Sequence, residues 1–195
     1  MNYQTSALWF YRPLALLVVL LAGVLSFFGF SAAFVYLLLA GLVLPVAISM
    51  YLHTQKEGEK AWSPKENSEW IVYVNGIPVR EDRAVLTNPG FASPEKTRRF
   101  FLVSFLFKLA IQVGCLYQLG IQFLAAPTGP VSVIAGIVCL IPLLAVTINT
   151  FKHLQQLNQL QFTTIQLATG QSWHQAEFER DGKTTPALEP LLSLK

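Results

Sequence analysis

The chain has 195 residues, of which 53% are hydrophobic and only 13% are charged, and its net charge is +3 at neutral pH. Because soluble domains carry about 25% charged residues, this composition excludes an ordinary soluble globular domain. The 14 basic residues are interleaved with 11 acidic ones instead of forming a basic run, so no nucleic acid is expected as a partner.

Residues 1–12 are predicted to form a cytoplasmic N-terminus. Trp9, Phe10 and Tyr11 are aromatic residues of the kind that lie where membrane meets water. The segment is not expected to be a cleavable signal peptide, because the apolar run that follows is long enough to stay in the membrane.

Two stretches, 13–52 and 109–151, contain no charged side chain. Each is about 40 residues long, twice the roughly 20 helical residues that cross a bilayer, so each is predicted to fold back on itself. Ser93 and Pro94 predict the start of the third helix, as its N-cap and first helical residue. The predicted fold class is an all-α membrane protein with four transmembrane helices as two helical hairpins, 13–52 and 93–152, and with small cytoplasmic β-hairpin elements.

The basic residues predict the orientation in the membrane. Cytoplasmic helix ends are enriched in Lys and Arg, and the hairpin tips near 28–33 and 125–131 carry no charge. Both termini and the central loop are therefore predicted to be cytoplasmic, in a multi-pass protein of a bacterial-type inner (plasma) membrane. The bases at the predicted cytoplasmic helix ends are Arg12, Lys56, Lys60, Lys65, Arg98, Arg99 and Lys152.

The central loop, 53–92, is predicted to contain a β-hairpin at 70–86. A β-branched and aromatic run begins at Trp70 and is followed by Asn75-Gly76, which is a strong signal for a hairpin turn. A lone hairpin is marginally stable in water, so we expect it to contact a partner. Residues 54–68 are polar and charged and are predicted to be a flexible linker. The expected partner contacts are Trp70, Tyr73, Asn75 and Gly76.

The C-terminal tail, 153–195, is predicted to be cytoplasmic. It begins as an amphipathic extension of the fourth helix and continues with two predicted strands, 162–167 and 172–178, as a possible β-hairpin. We expect these tail strands and the β-hairpin at 70–86 to build one small sheet. The last residues, 186–195, are predicted to be an extended apolar tail that docks on another surface.

A polar stripe follows the third helix through the apolar region. At 100° per residue, Lys108, Gln112, Cys115 and Gln122 lie within about 40° of one direction, and Gln118 lies to one side. Polar side chains are costly against lipid, so this face is expected to point into a helix bundle or toward a partner. Two interpretations remain: the stripe lines a path for an ion or solute, or it forms hydrogen bonds between helices.

The sequence predicts no catalytic, cofactor or metal site. His53, His153 and His174 lack the spacing of metal ligands, and no phosphate-binding loop or nucleophile motif is present. Cys115 and Cys139 fall inside predicted membrane helices, so they are interpreted as small packing residues and not as a disulfide.

These features favour a non-catalytic membrane subunit or accessory protein of a larger complex, for secretion, conjugation, respiration or envelope assembly. Its expected partners are the lipid bilayer and other membrane subunits, or further copies of itself. Two alternatives share the architecture. One is an immunity or exclusion protein that blocks a membrane-acting toxin or incoming machinery, and the other is a small oligomeric transporter or channel.

Overall fold

The computed structural model describes residues 13–64, 67–74, 77–84, 86–126, 129–157, 161–166, 172–180 and 183–192. Five helices are described: α1 (Pro13–Phe27), α2 (Ala32–Glu57), α3 (Pro94–Ala125), α4 (Pro130–Gln156) and α5 (Leu188–Leu192). The described strands are β1 (Ala61–Trp62), β2 (Asn67–Val74), β3 (Ile77–Ala84), β4 (Gly90–Phe91), β5 (Gln161–Gln166), β6 (Ser172–Arg180) and β7 (Lys183–Pro186).

Three of the described helices are long and apolar enough to cross a membrane. They are α2, α3 and α4, with 26, 32 and 27 residues. Helix α1 has 15 residues in its described part, about 22 Å against a hydrocarbon core of about 30 Å. The mostly helical membrane fold is confirmed at this level, whereas the fourth span and the paired hairpins stay predictions.

Helix α3 starts where the sequence predicted. Ser93 is its N-cap, and the Ser93 hydroxyl accepts a hydrogen bond from the Lys96 N–H at 3.3 Å. Pro94 occupies the first helical position, where its missing N–H costs no hydrogen bond. The Thr97 hydroxyl also donates to the His174 carbonyl, 3.0 Å away. The first turn of α3 is thereby tied to strand β6.

Helices α3 and α4 pack against each other in opposite directions. The contact of Phe105 with His153 lies near one end, and that of Phe123 with Gly136 lies near the other. A Cβ atom at residue 136 would lie 2.5 Å from the Phe123 ring. Gly136 therefore permits the close approach of the two helices.

Helix α2 contains a π-helical turn at Leu39–Val43. In a regular helix, Ile48 would be rotated by about 160° from Ala32. The π turn accommodates one additional residue and reverses much of that rotation. Buried residues before and after the turn, such as Ala32 and Ile48, can then face the same side of α2.

The five-stranded sheet is antiparallel, with strand order β1-β4-β6-β5, and β7 pairs with β6 beyond β4. The two predicted tail strands pair with each other as predicted, but the expectation that they share a sheet with the hairpin at 70–86 is wrong. The loop strands in the five-stranded sheet are instead β1 and β4. The linker prediction is wrong at 54–57, which completes α2, and at 61–62, where Ala61 is buried in the core.

The predicted hairpin strands form a separate two-stranded sheet. Strands β2 and β3 pair over eight residues each, with Val74 opposite Ile77. The predicted pairing is confirmed, and it begins at Asn67, three residues earlier than expected. Asn75 and Gly76 lie outside the described residues.

The tail and the helix ends share one apolar core. Phe101 and Phe105 of α3, Phe178 of β6 and Leu191 of α5 belong to the same buried cluster. The expected docking of the tail is therefore observed within the chain, although residues 188–192 are helical and not extended. The opposite end of the bundle has its own cluster, in which Phe30 is fully buried.

Candidate functional site

The polar stripe of α3 lies inside the protein. The side chains of Lys108, Gln112 and Cys115 are buried, with exposures of 3%, 0% and 3%. Gln118 and Gln122 are half-buried. Polar groups inside an apolar bundle require polar partners, and the structure supplies such partners for Lys108 and for the three glutamines.

Lys108 holds the C-terminal helix. Its Nζ donates to the carbonyl oxygens of Pro190 and Leu191, both at 2.9 Å. The last carbonyls of any helix lack partners within that helix, and a cation is favoured at this end of the helix dipole. The Lys108 ammonium therefore caps α5 and does not extend toward the lipid headgroups.

Gln112 connects three helices at the next level of the stripe. Its Nε2 donates to the Thr150 hydroxyl of α4 at 2.9 Å, and lies 3.4 Å from the Tyr36 hydroxyl of α2. The Thr150 hydroxyl in turn donates to the Val146 carbonyl at 3.0 Å. The Gln112 Oε1 is buried and has no hydrogen-bond partner among the described residues.

Gln118 and Gln122 bind the start of α2. Both Nε2 groups donate to the Ser31 hydroxyl, at 3.3 Å from Gln118 and 2.7 Å from Gln122. The Ala32 N–H donates to the Gln122 Oε1 at 3.2 Å. Ser31 is the N-cap of α2 but makes no side-chain cap of its own. Gln122 thus performs the capping from a neighbouring helix.

The two cysteines lie between α3 and α4, in the apolar cluster that contains Phe30. Both Cys115 and Cys139 are buried, and neither forms a disulfide. Their surroundings in that cluster are apolar side chains such as Phe30 and Leu143. This placement is that of small packing residues.

The predicted partner contacts divide between two faces of the β2–β3 ribbon. Successive residues of a strand alternate between faces, so Trp70 and Tyr73 lie on opposite faces and do not form one patch. The register puts Val72, Val74, Ile77 and Val79 on the face of Trp70, together with Glu81 opposite Trp70 and the pair Ser68 and Arg83 at the far end. The opposite face carries a mixed series: Glu69, Ile71, Tyr73, Pro78 and Arg80.

No group of three metal-ligating side chains occurs among the residues that the structure describes. His53 lies beside Glu57 of its own helix, with Nδ1 3.3 Å from Oε1. His153 instead packs against the rings of Phe105 and Phe178. The two histidines that end α2 and α4 thus have different neighbours.

The polar partners of the stripe were not predicted from the sequence. Ser31, Tyr36 and Thr150 are polar residues in otherwise apolar helices, and that rarity was an available signal. The carbonyls of Pro190 and Leu191 gave no signal, because every residue carries a carbonyl.

Comparisons of the chain with protein-family models, curated proteins and solved structures give no match.

Replacing Gln122 by Leu tests the capping from α3. The substitution leaves the Ala32 N–H and the Ser31 hydroxyl without their bonds to Gln122, so we expect about 1 kcal/mol of destabilisation. Unfolding of the purified protein in detergent would measure it. Gln118→Leu is the matched control, since it loses a single bond of 3.3 Å at a half-exposed site. Equal effects of the two substitutions would contradict the capping role.

Replacing Lys108 by Met tests the docking of α5. Met fills a similar volume but leaves two carbonyls without donors, so the released tail should be favoured by about 2 kcal/mol, roughly thirtyfold in population. Limited proteolysis between residues 180 and 192 would report this release. Lys152→Met removes an exposed base near the end of α4 and should leave the cleavage rate unchanged. A Lys108→Met protein cleaved at the wild-type rate would show that the bonds do not hold the tail.

Proposed function

We propose that this protein is a non-catalytic subunit or accessory protein of a larger plasma-membrane complex, which acts through contacts with other membrane proteins. The observation that carries the proposal is the β2–β3 ribbon. It has a sheet of its own, separate from the five-stranded sheet, and its register groups Trp70 with Val72, Val74, Ile77 and Val79 on one face.

A ribbon of this kind needs a covering surface. Two strands alone bury too little apolar area to be stable in water, and a contiguous apolar patch marks an interaction site. Its outer strand edges also offer unpaired backbone groups, to which a partner strand can add. A partner subunit could cover the face of Trp70 and could also add a strand to an edge of the ribbon.

The membrane arrangement that we propose has four spans, with both helix turns on the side opposite the sheet. Most of the described side chains of α1 are exposed and apolar, Leu17 at 62% and Val24 at 54%, whereas Ala22 is buried. Water is a poor solvent for such a helix, so lipid or a partner helix should surround it. Lys56 ends the helix that leads to β1, and Arg98 and Arg99 lie in the first turns of the helix that follows β4. The positive-inside rule favours the cytoplasm for this side of the membrane.

Single-cysteine labelling tests this arrangement. In a protein with Cys115 and Cys139 replaced by Ala, a membrane-impermeant maleimide should label Phe28→Cys and Gly129→Cys in intact spheroplasts. Ser172→Cys in β6 and Ser6→Cys before α1 should react only after permeabilisation. Labelling of Ser6→Cys in intact spheroplasts would indicate three spans and contradict the proposed four.

Co-purification tests the proposed function. With gentle detergent extraction at native expression, mass spectrometry should identify a membrane partner at constant stoichiometry. Trp70→Ala with Val72→Ala should reduce its recovery at least tenfold, because these apolar residues share one face of the ribbon. Ile71→Ala with Tyr73→Ala is the matched control on the opposite face and should retain the partner. Full recovery with both double variants would refute this contact surface.

The identity of the partner separates the subunit role from the immunity or exclusion role, since the second requires a toxin or incoming machinery. The transport role receives less support from the geometry of α3. A conducting path along the stripe would require Lys108 and Gln112 to face a channel, yet they bond to α5, α4 and α2 of the same chain.

A further inference from the structure

A groove of about 290 Å³ lies between α2 and α3, near the end of the bundle that carries the sheet. This is close to the lower limit of about 300 Å³ for small-molecule sites. Its walls come from Leu44–Tyr51 of α2 and from Lys96–Phe107 of α3. The groove is not part of the polar stripe, which lies on another face of α3.

The end of the groove nearest the sheet is basic. Lys96 and Arg99 line it, and both side chains are exposed. Tyr51 lies at the same level and stacks on Phe100, with ring centroids 5.6 Å apart. Bases and tyrosine are the residues that occupy the headgroup region of membrane proteins. No acidic residue lines the groove among the residues that the structure describes.

The other end of the groove is apolar. From Arg99 to Phe107 the helix rises about 12 Å, and the side chains along that length include Val103 and Phe107, which are half-exposed. On α2 the small side chain of Ala47 leaves room between the helices. A water molecule in this end of the groove would find few hydrogen-bond partners, because the walls of the groove are mostly hydrocarbon.

We propose that the groove binds one anionic phospholipid of the leaflet on the sheet side. The lipid phosphate contacts Lys96 and Arg99, and one acyl chain extends along the apolar walls toward Phe107. Charge complementarity selects the headgroup, since basic pockets between transmembrane helices favour anionic lipids. The acyl chain covers apolar surface of α2 and α3 and links the two helices at the sheet end.

Native mass spectrometry of the full chain, from detergent with equal phosphatidylglycerol and phosphatidylcholine, tests the proposal. The wild-type protein should retain one phosphatidylglycerol in preference to phosphatidylcholine. Lys96→Gln with Arg99→Gln should reduce this preference about thirtyfold, since each base near a membrane surface contributes roughly fivefold. Lys152→Gln removes one exposed base near the sheet-side end of α4 and should leave the preference unchanged.

A second pair of variants tests the apolar half of the groove. Ala47→Trp fills the apolar end of the groove and should abolish retention of the lipid, although both bases are intact. Ala145→Trp adds the same ring to an exposed position of α4 outside the groove, and should retain the lipid. Melting temperatures near the wild-type value would establish that all variants fold. Equal retention of the two lipids by the wild-type protein, or unchanged binding in Ala47→Trp, would overturn the proposal.

Discussion

Helix ends that lie in apolar surroundings constrain this fold more than any other feature. The first N–H groups and the last C=O groups of a helix have no partner within it, and an apolar environment makes such groups expensive. Helix α3 supplies partners for two such ends. Gln122 accepts from the first N–H of α2, and Lys108 donates to the last carbonyls of α5. Both neighbours are thus fixed relative to one central helix.

The length of α3 explains how it serves both halves of the protein. Its 32 residues extend about 48 Å, well beyond a hydrocarbon core of about 30 Å. The part after Lys108, 109–125, carries no charge and suits the membrane. The turns before Lys108 have two environments, because Phe101 and Phe105 pack against the sheet and tail while Val103 and Phe107 face outward. On the buried side of α3, Lys108 marks the boundary between these two parts.

Local signals in the sequence were sufficient for some elements and not for others. The cap at Ser93 and strands β5 and β6 could be predicted because their determinants are adjacent residues. Strand β1 has two residues in a charged segment, and it exists only because β4 pairs with it. The pairing of Ser31 with Gln122 joins residues 91 apart, and polarity alone does not say which groups meet. The opposite faces of Trp70 and Tyr73, by contrast, were available from strand alternation.

Because the polar side chains of the interior bond within the chain, contacts with other molecules are expected at the surface of the protein. Lys108, Gln112 and Gln122 hold the chain's own helices, so moving an ion past them would require breaking the contacts that assemble the bundle. Among the described residues, the ribbon has a sheet of its own, α1 has an exposed apolar side and the basic groove opens to the surface. We propose a different neighbour for each of them: a protein for the ribbon, a helix or hydrocarbon for α1, and an anionic headgroup for the groove. A molecule whose polar interior is occupied and whose outer surfaces are specialised in this way is suited to bind its neighbours in the membrane.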